Sequence, residues 1–431
     1  MVNWSRSLAA LLLSSLALVA SAATPQQTAQ QFVDRLEAGD IAGAEAMFTP
    51  DMAKAVPATS LQALWQSLGT LEERGPQRVV EQQGMQIVVQ TLRFASASAK
   101  ALITVDADGR IAGLLLQPAD AAPTPAPAPP ANAAYSEREL QIEAGKGPLP
   151  ATLAMPNGTG PFRAVVLVHG SGPQDRNETV GPNRPFLDVA RGLAAQGIAV
   201  LRYEKRTLAR PQDFRGDFTM DDETTDDAVA AVALLARTPG IDPKHIYVMG
   251  HSQGGMLAPR IAARSGKVAG LVLWSAPARS LLTLLPEQNR HLFTLDGQVS
   301  AAEQAALDRL DAQIASVRGT ADVAAKDLPL GQPASYWRAF DRIDPVADAK
   351  ALAQPILLLQ GGRDFQVTDV DWQYWQRGLP EGPKARFHRY PSLNHLGIAG
   401  EGPGSLQEYG VAGHVSTQLI DDVAAWIRAG Q

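Results

Sequence analysis

The 431-residue chain contains no cysteine, which removes disulfide bonds, thiol nucleophiles and cysteine-ligated zinc in one step. The same absence rules out a bacterial-type lipid anchor after the leader. No basic run is present and the formal net charge is −6, which argues against a nucleic-acid partner. The apolar run Leu8 to Ala20 is too short to span a membrane comfortably. With Arg6 before it and Ala20-Ser21-Ala22 at its end, it reads as a signal peptide over residues 1–22. A mature chain starting near Ala23, periplasmic or secreted and with no stable membrane span, is expected. An uncleaved N-terminal anchor is the alternative.

The length calls for two domains. Residues 23–117 open with apolar residues at helical spacing in Thr28–Leu36, Ile41–Phe48 and Leu61–Leu68. From Arg78 the pattern changes to strands: Gln86–Phe94, Ala101–Val105 and Ile111–Leu116, the last two separated by the turn Asp106-Ala107-Asp108-Gly109. Helices followed by an antiparallel meander make a small α+β layer. It holds no cluster of His, Asp and Glu at catalytic spacing. Residues 118–134 alternate proline and alanine, a composition that builds no core and favours an extended linker.

Residues 135–431 begin with two antiparallel strands, Glu139–Glu143 and Leu149–Met155, and then alternate. Strands are expected at Ala164–Val168, Ile198–Leu201, His245–Met249, Val268–Trp274, Pro355–Leu359 and Lys384–Tyr390. Helices are expected at Phe186–Ala195, Asp221–Ala236, after Ser252, and at Val411–Ile427. Such alternation predicts an α/β fold with a doubly wound, mostly parallel sheet, its site at the C-terminal ends of the strands. The segment 279–345 interrupts the alternation. It is largely helical, with Leu307, Leu310, Ile314 and Val317 as an apolar stripe, and reads both as a helix packed on the body and as a cap over the site.

One stretch carries chemistry. Gly250-His251-Ser252-Gln253-Gly254 lies between a buried strand and a helical pattern, the arrangement of a nucleophile elbow. A serine hydroxyl needs a base, and the base needs an acid to hold its tautomer. Of the seven histidines, His169 and His251 are committed to turns, and His245 opens a strand. His291, His388 and His414 have no recognisable context. His395 follows the last strand on a loop between Pro391 and Gly397, where a base is required. Asp364 stands after the strand ending at Leu359, behind Gly361-Gly362. Asp369 and Asp371 are rival acids, disfavoured because they fall on the following helix. The order Ser252, Asp364, His395 is that of this architecture. For the oxyanion hole, the backbone N–H of Gln253 supplies one donor. His169-Gly170-Ser171-Gly172 supplies the other, with Ser171 favoured and Gly172 its neighbouring alternative.

With those residues in place, 138–431 resembles an α/β-hydrolase of the secreted or periplasmic serine esterase branch, grouped with S9/S33-like peptidases. The matching stretches are His169–Pro173 with Asp175-Arg176, Arg202-Tyr203-Glu204-Lys205-Arg206, Gly250–Gly255, Gly361–Val367 and Asn394-His395. The N-terminal unit is similar to the small cystatin/NTF2-like domain of unknown function that precedes some secreted hydrolases. Glu204 and Arg206 read as a structural pair. The resemblance implies a carboxylesterase acting on a small-molecule ester, with no metal or organic cofactor. A serine peptidase or aminopeptidase using the same residues is the alternative, though no acidic motif for a substrate amine is evident. A non-catalytic binding protein on a hydrolase fold is the rival from another class. The sequence specifies neither oligomeric state nor acyl chain length.

Overall fold

In the computed structural model the residues described are 23–82, 85–95, 98–118, 126–145, 147–295 and 297–430. The expected signal peptide and residues 119–125 of the Pro/Ala stretch lie outside them. The chain divides into two compact units, 1–124 and 125–431.

Four helices, α1 (Pro25–Glu37), α2 (Ile41–Glu45), α3 (Pro50–Ala55) and α4 (Ala58–Ser67), open the first unit. Thr24 and Gln27 cap α1 reciprocally, and Pro25 occupies its first position. The helix expected over Ile41–Phe48 stops at Glu45. Thr49 precedes Pro50 and so disfavours helical backbone, then caps a new helix that the reading missed, α3. Five antiparallel strands follow: β1 (Leu71–Arg74), β2 (Arg78–Gln82), β3 (Met85–Phe94), β4 (Ser98–Val105) and β5 (Ile111–Pro118). Phe32, Val33, Leu36 and Leu61 pack on Val88, Leu92 and Ile103 to form this unit's core.

The second unit is built on an eight-stranded sheet. Its strands are β6 (Tyr135–Ile142), β7 (Leu149–Pro156), β8 (Phe162–Val168), β9 (Ala199–Tyr203), β10 (Ile241–His251), β11 (Gly270–Trp274), β12 (Ile356–Gly361) and β13 (Ala385–Tyr390). Across the sheet the order is β6-β7-β9-β8-β10-β11-β12-β13. The β6–β7 and β7–β9 pairs are antiparallel and all pairs from β9 to β13 are parallel. The central strands bury every residue from Ala164 to Val168 and from Leu271 to Trp274, as a sheet covered on both faces requires.

The connections carry α5 (Pro185–Ala194), α6 (Arg206–Ala209), α7 (Asp226–Ala236) and α8 (Gln253–Ser265). The helix expected from Asp221 begins differently: Asp221–Thr225 is a π-helical turn that buries Glu223, Thr224 and Thr225 before α7 proper. The interrupting segment holds α9 (Leu281–Phe293), α10 (Ala301–Arg318) and α11 (Ala334–Asp341). In α10, Leu307, Ile314 and Val317 are buried, so the apolar stripe packs as expected. Next come α12 (Pro345–Ala351) and α13 (Asp369–Gly378). The last helix, α14 (Thr417–Ala429), starts six residues later than the apolar pattern does. Val415 bridges to Ile398 and Ser416 N–H bonds the Gly397 carbonyl, which holds the approach extended.

Candidate active site

Ser252 sits between β10 and α8 with φ 51° and ψ −120°, outside the comfortable regions for a side-chain-bearing residue, at a cost of about 1–3 kcal/mol. Its N–H bonds the Trp274 carbonyl at 2.9 Å, and its own carbonyl accepts from Met256 N–H at 3.0 Å. The flanking glycines answer to space. A Cβ on Gly250 would lie 2.2 Å from the Gly254 carbonyl oxygen, and one on Gly254 would lie 2.2 Å from that of Val168. The elbow therefore touches the end of β8 directly. The N-terminus of α8, with its free N–H groups, opens at Gln253.

The loop after β8 is held at Gly170 from both sides. Its N–H donates to Glu178 Oε1 at 2.7 Å, and its carbonyl accepts from Lys205 Nζ at 2.7 Å. Gly170 N–H is thus committed, and the unclaimed positions are Ser171 and Gly172, both lining a cavity beside Ser252. Gly172 has φ 79°. A Cβ there would meet nothing within 4 Å, so backbone conformation is the reason for glycine at that position.

Asp364 and His395 are brought together: His395 Nδ1 donates to Asp364 Oδ2 at 2.8 Å, with both residues buried. The other carboxylate oxygen accepts from the N–H groups of Gln366 and Val367, each at 2.9 Å. Glycines again allow the approach. A Cβ on Gly361 would fall 2.4 Å from the Leu393 carbonyl, and one on Gly362 would fall 2.7 Å from that of Pro391. The rival acids are elsewhere. Asp369 pairs with Arg389. Asp371, fully buried, pairs with Arg279 at 2.7 Å and accepts from the N–H of Ala278 at 2.9 Å, which pins the base of the interrupting segment.

Behind these groups lies a buried pair that sequence reasoning missed. His251 Nδ1 and Glu178 Oε2 are 2.9 Å apart, close as an ion pair but out of line for a hydrogen bond. On the other side of the ring, His251 Nε2 donates to the His395 carbonyl at 2.9 Å. Burial opposes the charged forms of both, but mutual attraction outweighs it. The His251 pKa is raised and the Glu178 pKa lowered. Glu178 adopts φ 52°, so the backbone is bent to deliver this carboxylate. His169 behaves oppositely: burial pushes it down to about 4, and its Nε2 donates to the Asp175 carbonyl at 3.0 Å. No sequence motif joins Glu178 to His251, which reads as a turn residue of the elbow.

Glu204 and Arg206 do not pair with each other. Glu204 takes Arg176 at 2.7 Å, and Arg206, which opens α6, is bidentate to the buried Asp227. An acidic residue does reach the cavity: Glu223, delivered by the π-helical turn. Among the other histidines, His245 faces Asp242, His388 faces Asp422 and His414 faces Asp188. His291 donates to the Gly404 carbonyl at 3.1 Å and stacks on Phe365.

The cavity is about 470 Å³. One wall is Ser171, Gly172, Ser252 and Gln253; the other includes Leu281, Leu284, Leu285, Leu330, Tyr336 and Trp337 from the interrupting segment, the one expected as a cap. Among the described residues no group of three or more His, Asp or Glu is placed to hold a metal ion, and no helix is long and apolar enough to cross a membrane.

Residues 165–402 match the alpha/beta hydrolase family, and residues 29–114 match a domain of unknown function, DUF3887. The chain is 35% identical over 408 residues to esterase EstD of Thermotoga maritima, covering 93% of this chain and 95% of the relative. Among solved structures, Est1E from Butyrivibrio proteoclasticus superposes with TM-score 0.44 at 18% identity, over 68% of this chain and 99% of that one. A 2,6-dihydroxy-pseudo-oxynicotine hydrolase gives TM-score 0.44 at 16% identity, over 68% and 67%. A family match across more than half of the chain, joined to a relative of nearly the same length, places this chain in the alpha/beta hydrolase family, with a DUF3887 domain ahead of the hydrolase unit.

Proposed function

We propose that this chain is a serine carboxylesterase that cleaves uncharged esters of small to medium acyl groups through an acyl-enzyme on Ser252. The observation that carries the reading is the buried Asp364–His395 hydrogen bond of 2.8 Å at the same sheet end as the strained Ser252. His395 takes the hydroxyl proton as Ser252 Oγ attacks the ester carbonyl, and the carbonyl electron pair moves onto oxygen. The N–H groups of Gln253 and Ser171 receive that oxyanion; losing one such donor costs about 3 kcal/mol. When the carbonyl re-forms, the alcohol leaves with the proton from His395. Water, deprotonated by His395, then cleaves the acyl-enzyme. Asp364 holds the imidazole in the tautomer with a proton on Nδ1 and stabilises its charged form.

The cavity walls support a neutral substrate. Glu223 and Tyr336 are the ionisable residues among its lining, and Glu223 is paired with Lys205 at 3.0 Å. A carboxylate so neutralised offers little to a substrate amine. Esterase EstD of Thermotoga maritima, similar along nearly the whole chain, supports esters over amides. We also propose export to the periplasm or medium with cleavage near Ala23, tested by fractionation and intact mass: protein confined to the cytoplasm with Met1 retained would contradict it.

The decisive assay pairs a nitrophenyl ester series, acetate to long chain, with aminoacyl-nitroanilides, in parent and Ser252→Ala. Ester turnover lost in the variant, with little anilide turnover, is expected. Preferred anilide turnover would move the chain to the peptidases.

A further inference from the structure

Three parts of the site meet at one carboxylate. Glu223 Oε1 pairs with Lys205 Nζ at 3.0 Å, while Oε2 accepts from Gln253 Nε2 at 2.7 Å and from Tyr336 OH at 3.1 Å. Lys205 donates at the same time to the Gly170 carbonyl at 2.7 Å. Glu223 thus reaches the oxyanion loop through Lys205, the residue after the nucleophile through Gln253, and the cap helix α11 through Tyr336. Glu223, Gln253, Lys205 and Tyr336 are all buried, so these bonds are made away from water, where a lost partner is costly. The backbone carrying Glu223 is the π-helical turn Asp221–Thr225, an uncommon geometry concentrated at functional sites. It also accounts for Lys205 in the run Arg202–Arg206, which the chemistry of Ser252, His395 and Asp364 leaves unused.

We propose that Glu223 is a positioning residue that fixes the two oxyanion donors, Gln253 N–H and Ser171 N–H, and ties them to the cap through Tyr336. It exchanges no proton with substrate. It holds the Gln253 side chain, and hence the first turn of α8, in register with the Gly170–Ser171 loop held by Lys205. This inference rests on the serine reading above.

The test uses the full chain with Glu223→Gln and Tyr336→Phe, beside parent and Ser252→Ala. A glutamine amide accepts at one end only, so either Lys205 or the Gln253–Tyr336 pair loses its acceptor. The readouts are kcat and KM on nitrophenyl butyrate and the inhibition constant of a trifluoromethyl ketone. That ketone adds Ser252 Oγ to its carbonyl and presents an oxyanion to the same donors.

For Glu223→Gln we expect kcat to fall about 10- to 100-fold with KM within about threefold. The ketone should weaken by the same factor as kcat/KM. Tyr336→Phe removes one hydroxyl and decides the matter if Glu223→Gln does not fold; it should move both readouts together by about 3- to 10-fold. If Ser252→Ala is dead while every Glu223→Gln and Tyr336→Phe readout stays within about twofold of parent, the positioning role is overturned and the serine reading stands. Hydrolysis that survives in Ser252→Ala would overturn both.

Discussion

The two walls of the cavity are made differently. On the sheet side, backbone segments cross so closely that a single Cβ would collide, as at Gly250, Gly254 and Gly361. Buried ionisable groups, Asp364, His395, Glu178 and His251, are fixed there by hydrogen bonds and charge. On the cap side, leucines and Trp337 supply most of the lining, while Gln288 donates to the Gln366 carbonyl at 2.9 Å and Tyr336 reaches Glu223. The first construction tolerates little displacement and suits chemistry, which a shift of 1 Å degrades. The second tolerates repacking and suits the selection of acyl size.

The contrast predicts where each change is felt. Ser252→Ala should lower kcat/KM by at least about 10⁴-fold with the fold intact, read by ester hydrolysis and thermal melting; a loss under tenfold would take the nucleophile away from Ser252. Asp364→Asn should follow at about 10³- to 10⁴-fold, because an amide no longer enforces the Nδ1–H tautomer of His395. On the cap side, Leu285→Ala should leave acetate turnover within about threefold and shift the optimum toward longer acyl chains by about 1–3 kcal/mol of relative kcat/KM. Equal loss on every ester would erase the difference between the walls.

Two predictions concern stability. Glu178→Gln leaves His251 buried without its counter-charge and should cost about 3–5 kcal/mol in urea unfolding. The raised His251 pKa contributes stability that is present below the unfolded value of 6.5 and fades as pH rises through the folded one; the lowered Glu178 pKa contributes stability present above 4.5 and lost on acidification. The pair therefore stabilises most between those limits, and Glu178→Gln should differ least from parent outside them. His169, held down to about 4, works the other way. Its stability is complete above 6.5 and declines by about 3 kcal/mol as pH falls to 4. His169→Asn should remove that component, seen by comparing urea midpoints at pH 7 and pH 4.

Much of this was legible in the residues. Strand and helix alternation followed from apolar runs, and Ser252, Asp364 and His395 were placed by glycines and prolines at strand ends, because tight turns restrict residue choice. What escaped depended on distance in three dimensions. Glu223 stands in the acidic run Asp221-Asp222-Glu223 at a helix start, and only the π-helical turn aims it inward. His251 and Glu178, 73 positions apart in the chain, meet because β8 and β10 are neighbours in the sheet. The identity of the cap was ambiguous for a related reason: an amphipathic helix shows that it packs, not what it covers.

The measurement closest to the central claim is covalent labelling with an organophosphonate nitrophenyl ester, followed by peptide mass mapping. One adduct per chain, on the peptide containing Ser252 and absent from Ser252→Ala, is the result expected. A folded chain that takes up no label, or carries it on another residue, would contradict the account.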